Sequence, residues 1–208
     1  MTVQMTVQMT VQMAGQLMEG PFLWYLNRGT GVVVLVLLTI TTVLGVVSLG
    51  TRSGRGLPRF VSQALHRNLA LLSVALLAAH VVSAVVDEYV EIRWWQSFVP
   101  FAGSYEPLWL GLGAIALDLM VVVVVTSVLR HRMRHRAWRL LHVSSYGLWL
   151  MSLLHGLGMG TDLGGAWWLV AVACAAAVPL AATYRLGLLL LDRPEPTPNP
   201  PTTVGVIR

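Results

Sequence analysis

LHRNLALLSVALLAAHVV occupies residues 65–82, and LHVSSYGLWLMSLLHGLGMGTD occupies residues 141–162. Each is an apolar run that holds two histidines, His66 and His80 in the first, His142 and His155 in the second. Residues 68–86 and 140–161 carry no Asp, Glu, Lys or Arg. Runs of this length reach across roughly 30 Å of hydrocarbon at about 1.5 Å per residue. The first run is short by itself, but the uncharged residues 60–66 lengthen it, and Arg67 can snorkel to the interface. Both therefore read as membrane-crossing helices.

Three further stretches have the same character. Residues 29–50 and 163–184 are free of Asp, Glu, Lys and Arg, and residues 107–129 are broken only by Asp118. The expectation is an all-α, polytopic transmembrane bundle of five crossings. Composition agrees: 56% of the 208 residues are hydrophobic and 11% charged, and mean hydropathy is +0.70. A soluble domain carries far more surface charge. The chain contains no lysine, so its net charge of +5 comes from arginine.

Charge also orients the crossings. Arg52, Arg55, Arg59 and Arg67 lie between the first two, and Arg130, Arg132, Arg134, Arg136 and Arg139 between the third and fourth. The alternate connections are acidic, with Asp87, Glu88, Glu91 and Glu106 against Arg93 in one and Asp162 in the other. In a five-crossing chain both arginine loops fall on one side, which the positive-inside rule makes cytoplasmic. The N-terminus is then outside, the C-terminus inside, and the protein sits in a cell inner or plasma membrane. The basic loops read as topology, with no nucleic acid as partner.

Three regions are expected. Residues 1–23 form an N-terminal extension opening on the repeat MTVQMTVQMTVQM, with Met13 or Met18 as an alternative start. It lacks the basic and apolar regions of a signal peptide. Residues 24–190 form the transmembrane domain, and residues 191–208 a proline-rich, disordered tail. The outer connection, residues 87–106, holds Trp94, Trp95, Phe98, Phe101 and Tyr105, which suit a segment lying along the headgroups or capping the bundle. Cys174, the lone cysteine, lies in AVACAAAV and reads as packing.

His131 and His135 lie in the arginine loop and are expected to be solvated. The other four histidines fall on the second and fourth crossings, which run in the same direction. His66 and His142 therefore share the cytoplasmic level, and His80 and His155 the outer one. Spacings of 14 and 13 residues separate the levels by roughly 20 Å. Two stacked haems with imidazole axial ligands from neighbouring helices need this arrangement. Ala78, Ala79, Ser144, Ser145, Gly147 and Gly156 leave room for a planar group. At about 100° per residue His66 and His80 share a face, whereas His155 stands roughly 140° from His142. A bend near Ser144, Ser145 and Gly147, or cofactors on different flanks of the helix, would reconcile the second pair. The competing reading is histidines that merely hydrogen-bond between helices.

The chain resembles the ferric reductase-like transmembrane domain family, which includes the membrane cores of NADPH oxidases and the haem subunit of the bacterial methionine sulfoxide reductase system. The resemblance spans roughly residues 24–190. It rests on LNRGTGVVVLVLLTITTVLG, LHRNLALLSVALLAAHVV, PFAGSYEPLWLGLGAIALDL and LHVSSYGLWLMSLLHGLGMGTD. It implies two b-type haems, one ligated by His66 and His142, the other by His80 and His155. It implies electron transfer from a separate flavin-containing reductase or membrane quinol to an outer-face acceptor. Ferric iron is the acceptor it suggests, with oxygen or a periplasmic or extracellular redox protein as alternatives. Members usually have six crossings, against five here, and many carry a cytoplasmic flavin and nicotinamide domain for which no segment is present.

Haem propionates need counter-charges. Arg67 and Arg139, with Arg59, are the candidates at the inner level, and Arg28 and Arg93 at the outer, with lipid headgroup contact and topology as the alternative for each. Asp118 is costly in hydrocarbon and implies a proton-linked role or an interhelical hydrogen bond. Two other functions stay open: a haem-free transporter or assembly factor, and a haem-bearing anchor with no turnover of its own.

Overall fold

The computed structural model describes residues 3–10, 22–48, 58–87, 90–161 and 164–191. Residues 3–10 form a short exposed helix. The bundle consists of α1 (Phe22–Ser48), α2 (Arg59–Val86), α3 (Pro107–Val128), α4 (His135–Met159) and α5 (Gly165–Leu191). The two alternative starts, Arg52, Arg55, Glu88, Asp162 and nearly all of the proline-rich tail lie outside the described residues.

Helix ends follow local chemistry. Pro58 precedes α2 in extended backbone. Pro107 occupies the first turn of α3, where its missing N–H costs nothing. Gly164, at φ +74°, turns the chain into α5, a conformation open to glycine at no steric cost. α2 begins at Arg59, so the lengthening through residues 60–67 is realised. α5 runs seven residues past the apolar stretch that ended at 184, drawing Arg185 inside the helix.

α1 is the hub. It packs along α2 and also meets α5 and α4, while α3 lies chiefly along α4. Its buried residues Val34, Leu35 and Leu38 join Met120 of α3, Leu148, Trp149 and Leu153 of α4, and Trp167, Ala171 and Cys174 of α5 in one core. Deep within it the Trp149 indole N–H donates to Thr39 Oγ1 at 3.0 Å, tying α4 to α1. Cys174 is packing, as its apolar context indicated.

Around this core the outward faces are apolar. Leu72 on α2, Val121 and Val125 on α3, and Leu169 and Leu180 on α5 are all exposed, as a lipid solvent requires. Among the described residues four helices are long and apolar enough to span a bilayer: α1, α2 from Phe60, α3 extended to Arg132, and α5. α4 has the length, but polar residues along it, from Arg136 and Arg139 through His142, Ser144, Ser145 and Ser152 to His155, make it less apolar than the others. The chain is an all-α, multi-pass protein of the inner or plasma membrane.

The connection between α2 and α3 folds into a 3-10 turn at Trp94–Ser97. Trp94, Trp95, Phe98 and Phe101 are about half exposed. Phe101 adopts φ +64°, and its ring lies where a Cβ on Gly111 would be, 2.3 Å away at the nearest atom. Ile92, Gln96 and Ser97 reach the mouth of a cavity between the helices. This segment therefore lies against the end of the bundle with its aromatics half exposed.

Candidate functional site

The four histidines face one another in two pairs. His66 and His142 have ring centroids 6.2 Å apart with planes inclined at 58°. His80 and His155 stand 6.3 Å apart at 82°. These are the pairs that crossing direction assigned to common levels. The helices that carry them, α2 and α4, do not pack closely on each other: α2 lies on α1 and α4 on α3. The imidazoles thus meet across an interhelical space.

Their ring orientation comes from the backbone. His80 Nδ1 lies 2.9 Å from the Asn27 carbonyl, His155 Nδ1 2.8 Å from the Trp109 carbonyl, and His66 Nδ1 3.0 Å from the Thr41 carbonyl. A carbonyl only accepts, so in each case Nδ1 carries the proton and donates. A neutral ring then keeps its lone pair on Nε2, the tautomer able to ligate a metal through that nitrogen. His142 differs. Its Nδ1 is buried with no partner among the described residues, and its ring stacks on Trp138 at 5.0 Å and 23°.

Glycines make room for the rings. A Cβ on Gly31 would lie 2.9 Å from His80 Cε1, one on Gly113 2.7 Å from His155 Nδ1, and one on Gly45 3.6 Å from His66 Cε1. Gly31 and Gly45 are 14 residues apart, matching the spacing of His66 and His80 on the antiparallel neighbour. Composition and hydropathy did not single these residues out; the matched spacing was the available signal. Asn27, also missed, clamps His80 twice, since its Nδ2 donates to the His80 carbonyl at 2.9 Å.

The phase mismatch on α4 resolves without a break, because α4 is continuous from His135 to Met159. His155 leaves on the flank toward α3, where Gly113 and Trp109 receive it. His142 leaves on another flank and meets His66. The two sites therefore sit on different flanks of one continuous helix.

A mainly apolar cavity of about 160 Å³ surrounds the outer pair. Arg28 and Asn27 supply polar groups to its wall beside Leu35, Leu77 and Leu117. Arg28 donates to the Met159 carbonyl at 2.6 Å and lies over Trp24. Arg93, the other outer candidate, instead pairs with Glu91 at 3.2 Å in an exposed ion pair. Arg67 is exposed on α2 beside His66, and the side chain of Arg59 lies outside the description. Arg139 lines a second cavity, whose wall includes neither His66 nor His142. Asp118 is half-buried on α3, with no hydrogen bond or ion pair among the described residues. His131 and His135 are exposed, as expected for the arginine loop.

Two opposed imidazoles suit a haem better than a bare ion. No group of three or more His, Cys, Asp or Glu able to hold a metal occurs among the described residues. A haem requires only two axial protein ligands, because the porphyrin supplies the rest. Two imidazole nitrogens about 2.0–2.1 Å from one metal, on opposite sides of it, leave their ring centroids about 6 Å apart. Both pairs fit that requirement.

Residues 29–158, more than half of the chain, match the family described as ferric reductase like transmembrane component. The chain belongs to this family. No curated protein and no solved structure matches it. Within the ferric reductase-like chain, the matched region runs from the hub helix α1 to the end of α4, so it includes all four paired histidines. A membrane electron-transfer role is the one that membership supports.

Proposed function

We propose that this protein is a two-haem transmembrane cytochrome that carries electrons between the arginine-rich and acidic faces of the bilayer. In this reading α4 also crosses, giving five crossings, with the arginine loops cytoplasmic, the N-terminus outside and the C-terminus inside. The observation that carries the proposal is the pair of imidazole couples, 6.2 Å and 6.3 Å between centroids, on helices that do not pack closely.

His66 with His142 would hold the inner haem, and His80 with His155 the outer one. Bound there, each haem supplies a one-electron carrier whose potential depends on its ligands and surroundings. The chain's own residues do the positioning. The carbonyls of Asn27, Trp109 and Thr41 fix three imidazoles in the ligating tautomer, and Gly31, Gly45 and Gly113 admit the rings. Leu35, Leu77 and Leu117 give the outer site an apolar wall, which lowers the local dielectric. Arg28 sits where it can balance propionate charge at the outer level, and Arg67 is the matching candidate at the inner level. Arg139 was the second inner candidate, and its groove is treated below.

The donor in this reading is a separate flavin-containing reductase or a membrane quinol. The acceptor is at the outer face, with ferric iron first. A fast, charge-assisted encounter with an acidic donor would use the exposed Arg130, Arg132 and Arg136.

The test uses the purified protein in sealed vesicles, with ferric citrate trapped inside and dithionite outside. Ferrous iron should appear inside at a rate that depends on protein, and His80→Ala should abolish that rate. A rate equal to that of protein-free vesicles would overturn the proposal.

A further inference from the structure

The second cavity lies at the arginine-rich end, away from the outer pair. It is an open groove of about 860 Å³. α4 and α5 form its sides and the ends of α1 and α2 its floor. α4 contributes His135, Arg139 and Tyr146, and α5 contributes Arg185, Leu186 and Leu189. Arg139 and Tyr146 are two turns apart, so they share a face of α4. Arg185 shares a face of α5 with Leu189, one turn further on.

Three features define what the groove can take. It holds two guanidiniums, and no Asp or Glu among the described residues lines it. Neither Arg139 nor Arg185 pairs with a carboxylate among the described residues. Tyr146, together with Gln63 of α2, adds neutral hydrogen-bonding groups. The α5 wall is apolar and open outward: Leu186 and Leu189 are each 56% exposed. A ligand that suits all three has an anionic head with several acceptor oxygens and a long apolar tail. Arginine recognises phosphate by paired N–H donation, and basic pockets between transmembrane helices at the inner face bind anionic headgroups. A quinol head is neutral and would leave both guanidiniums uncompensated.

We propose that this groove is a binding site for one anionic phospholipid, with Arg139 and Arg185 on its phosphate, Tyr146 and Gln63 on the remaining headgroup oxygens, and an acyl chain along Leu186 and Leu189. The site is independent of haem. Of the two roles the sequence left open for Arg139, propionate partner and headgroup contact, it selects the second and makes it a defined site, and it gives Arg185 a role that hydropathy did not suggest. A lipid held there would also brace α4 against α5, two helices that pack only lightly on each other.

Native mass spectrometry of the purified full-length protein tests this, in micelles containing equimolar phosphatidylglycerol and phosphatidylcholine. The wild type should retain one phosphatidylglycerol in preference to phosphatidylcholine. Arg185→Gln and Arg139→Gln should each reduce that preference about fivefold, the effect of roughly one charge at a membrane surface. Arg185→Lys should keep most of it, and Arg132→Gln, outside the groove, should keep all of it. Equal retention of the two lipids by the wild type would overturn the proposal without recourse to any variant. An undiminished preference in Arg185→Gln would do the same, as would displacement of the bound lipid by added ubiquinone.

Discussion

The outer and inner histidine pairs have nearly equal ring separations, yet they are built differently. At the outer level both Nδ1 atoms are held by carbonyls, those of Asn27 and Trp109, and both rings press on glycines at under 3.0 Å from a virtual Cβ. A cavity encloses them with Arg28 in its wall. At the inner level, among the described residues, only His66 has a carbonyl partner. His142 relies on stacking with Trp138, and Gly45 stands at ordinary contact distance from its histidine. Equal spacing can thus be reached by a tightly determined site or by a looser one. The outer pair is held in place on both sides, and the inner pair is held on one.

The sharpest way to break this contrast is to add one methyl group. Gly113→Ala forces the His155 ring away from the Trp109 carbonyl, and Gly31→Ala crowds His80. Each should cost about 1–3 kcal/mol and lower haem content toward one per chain, read by pyridine haemochrome and thermal denaturation. Normal haem content in both would show that the outer rings are not confined.

Asn27→Ala comes next. It keeps the backbone acceptor for His80 but removes the side-chain donor to the His80 carbonyl, a loss of about 1 kcal/mol. The melting temperature should fall, with the outer site loosened and the inner one untouched. Trp138→Leu is the mirror experiment. Stacking of this kind contributes about 0.5–1.5 kcal/mol, so the inner haem alone should change its midpoint potential in a redox titration. A shift in both haems would mean the levels are coupled. Gly45→Ala should do least, within about 0.5 kcal/mol, because its new methyl meets His66 without a clash. A Gly45→Ala protein as damaged as Gly113→Ala would erase the distinction between levels.

Much of this was legible in the sequence because depth is a one-dimensional property. Uncharged runs locate the helices, loop charge sets their direction, and direction alone pairs His66 with His142 and His80 with His155. Rotation about each helix axis is harder to read. Lipid and core are both apolar, so nothing in VVVVV at 121–125 separates the exposed Val121, Val122 and Val125 from Val124, which packs against the core. The same blindness hid the groove that Arg139 lines, and it left the flank of His155 open. The orienting groups were illegible for another reason: three are backbone carbonyls, which any residue could supply. Arg185 was missed because the apolar stretch was closed at the first charge, whereas the helix continues past it.

The central claim is that each level holds one haem between two imidazoles. Pyridine haemochrome quantification of the purified protein, beside His66→Ala/His142→Ala and His80→Ala/His155→Ala, tests it most directly. Two b-type haems in the wild type and one in each double variant is the expected result. A haem-free wild type after expression with ample haem, or double variants that keep both haems, would contradict it.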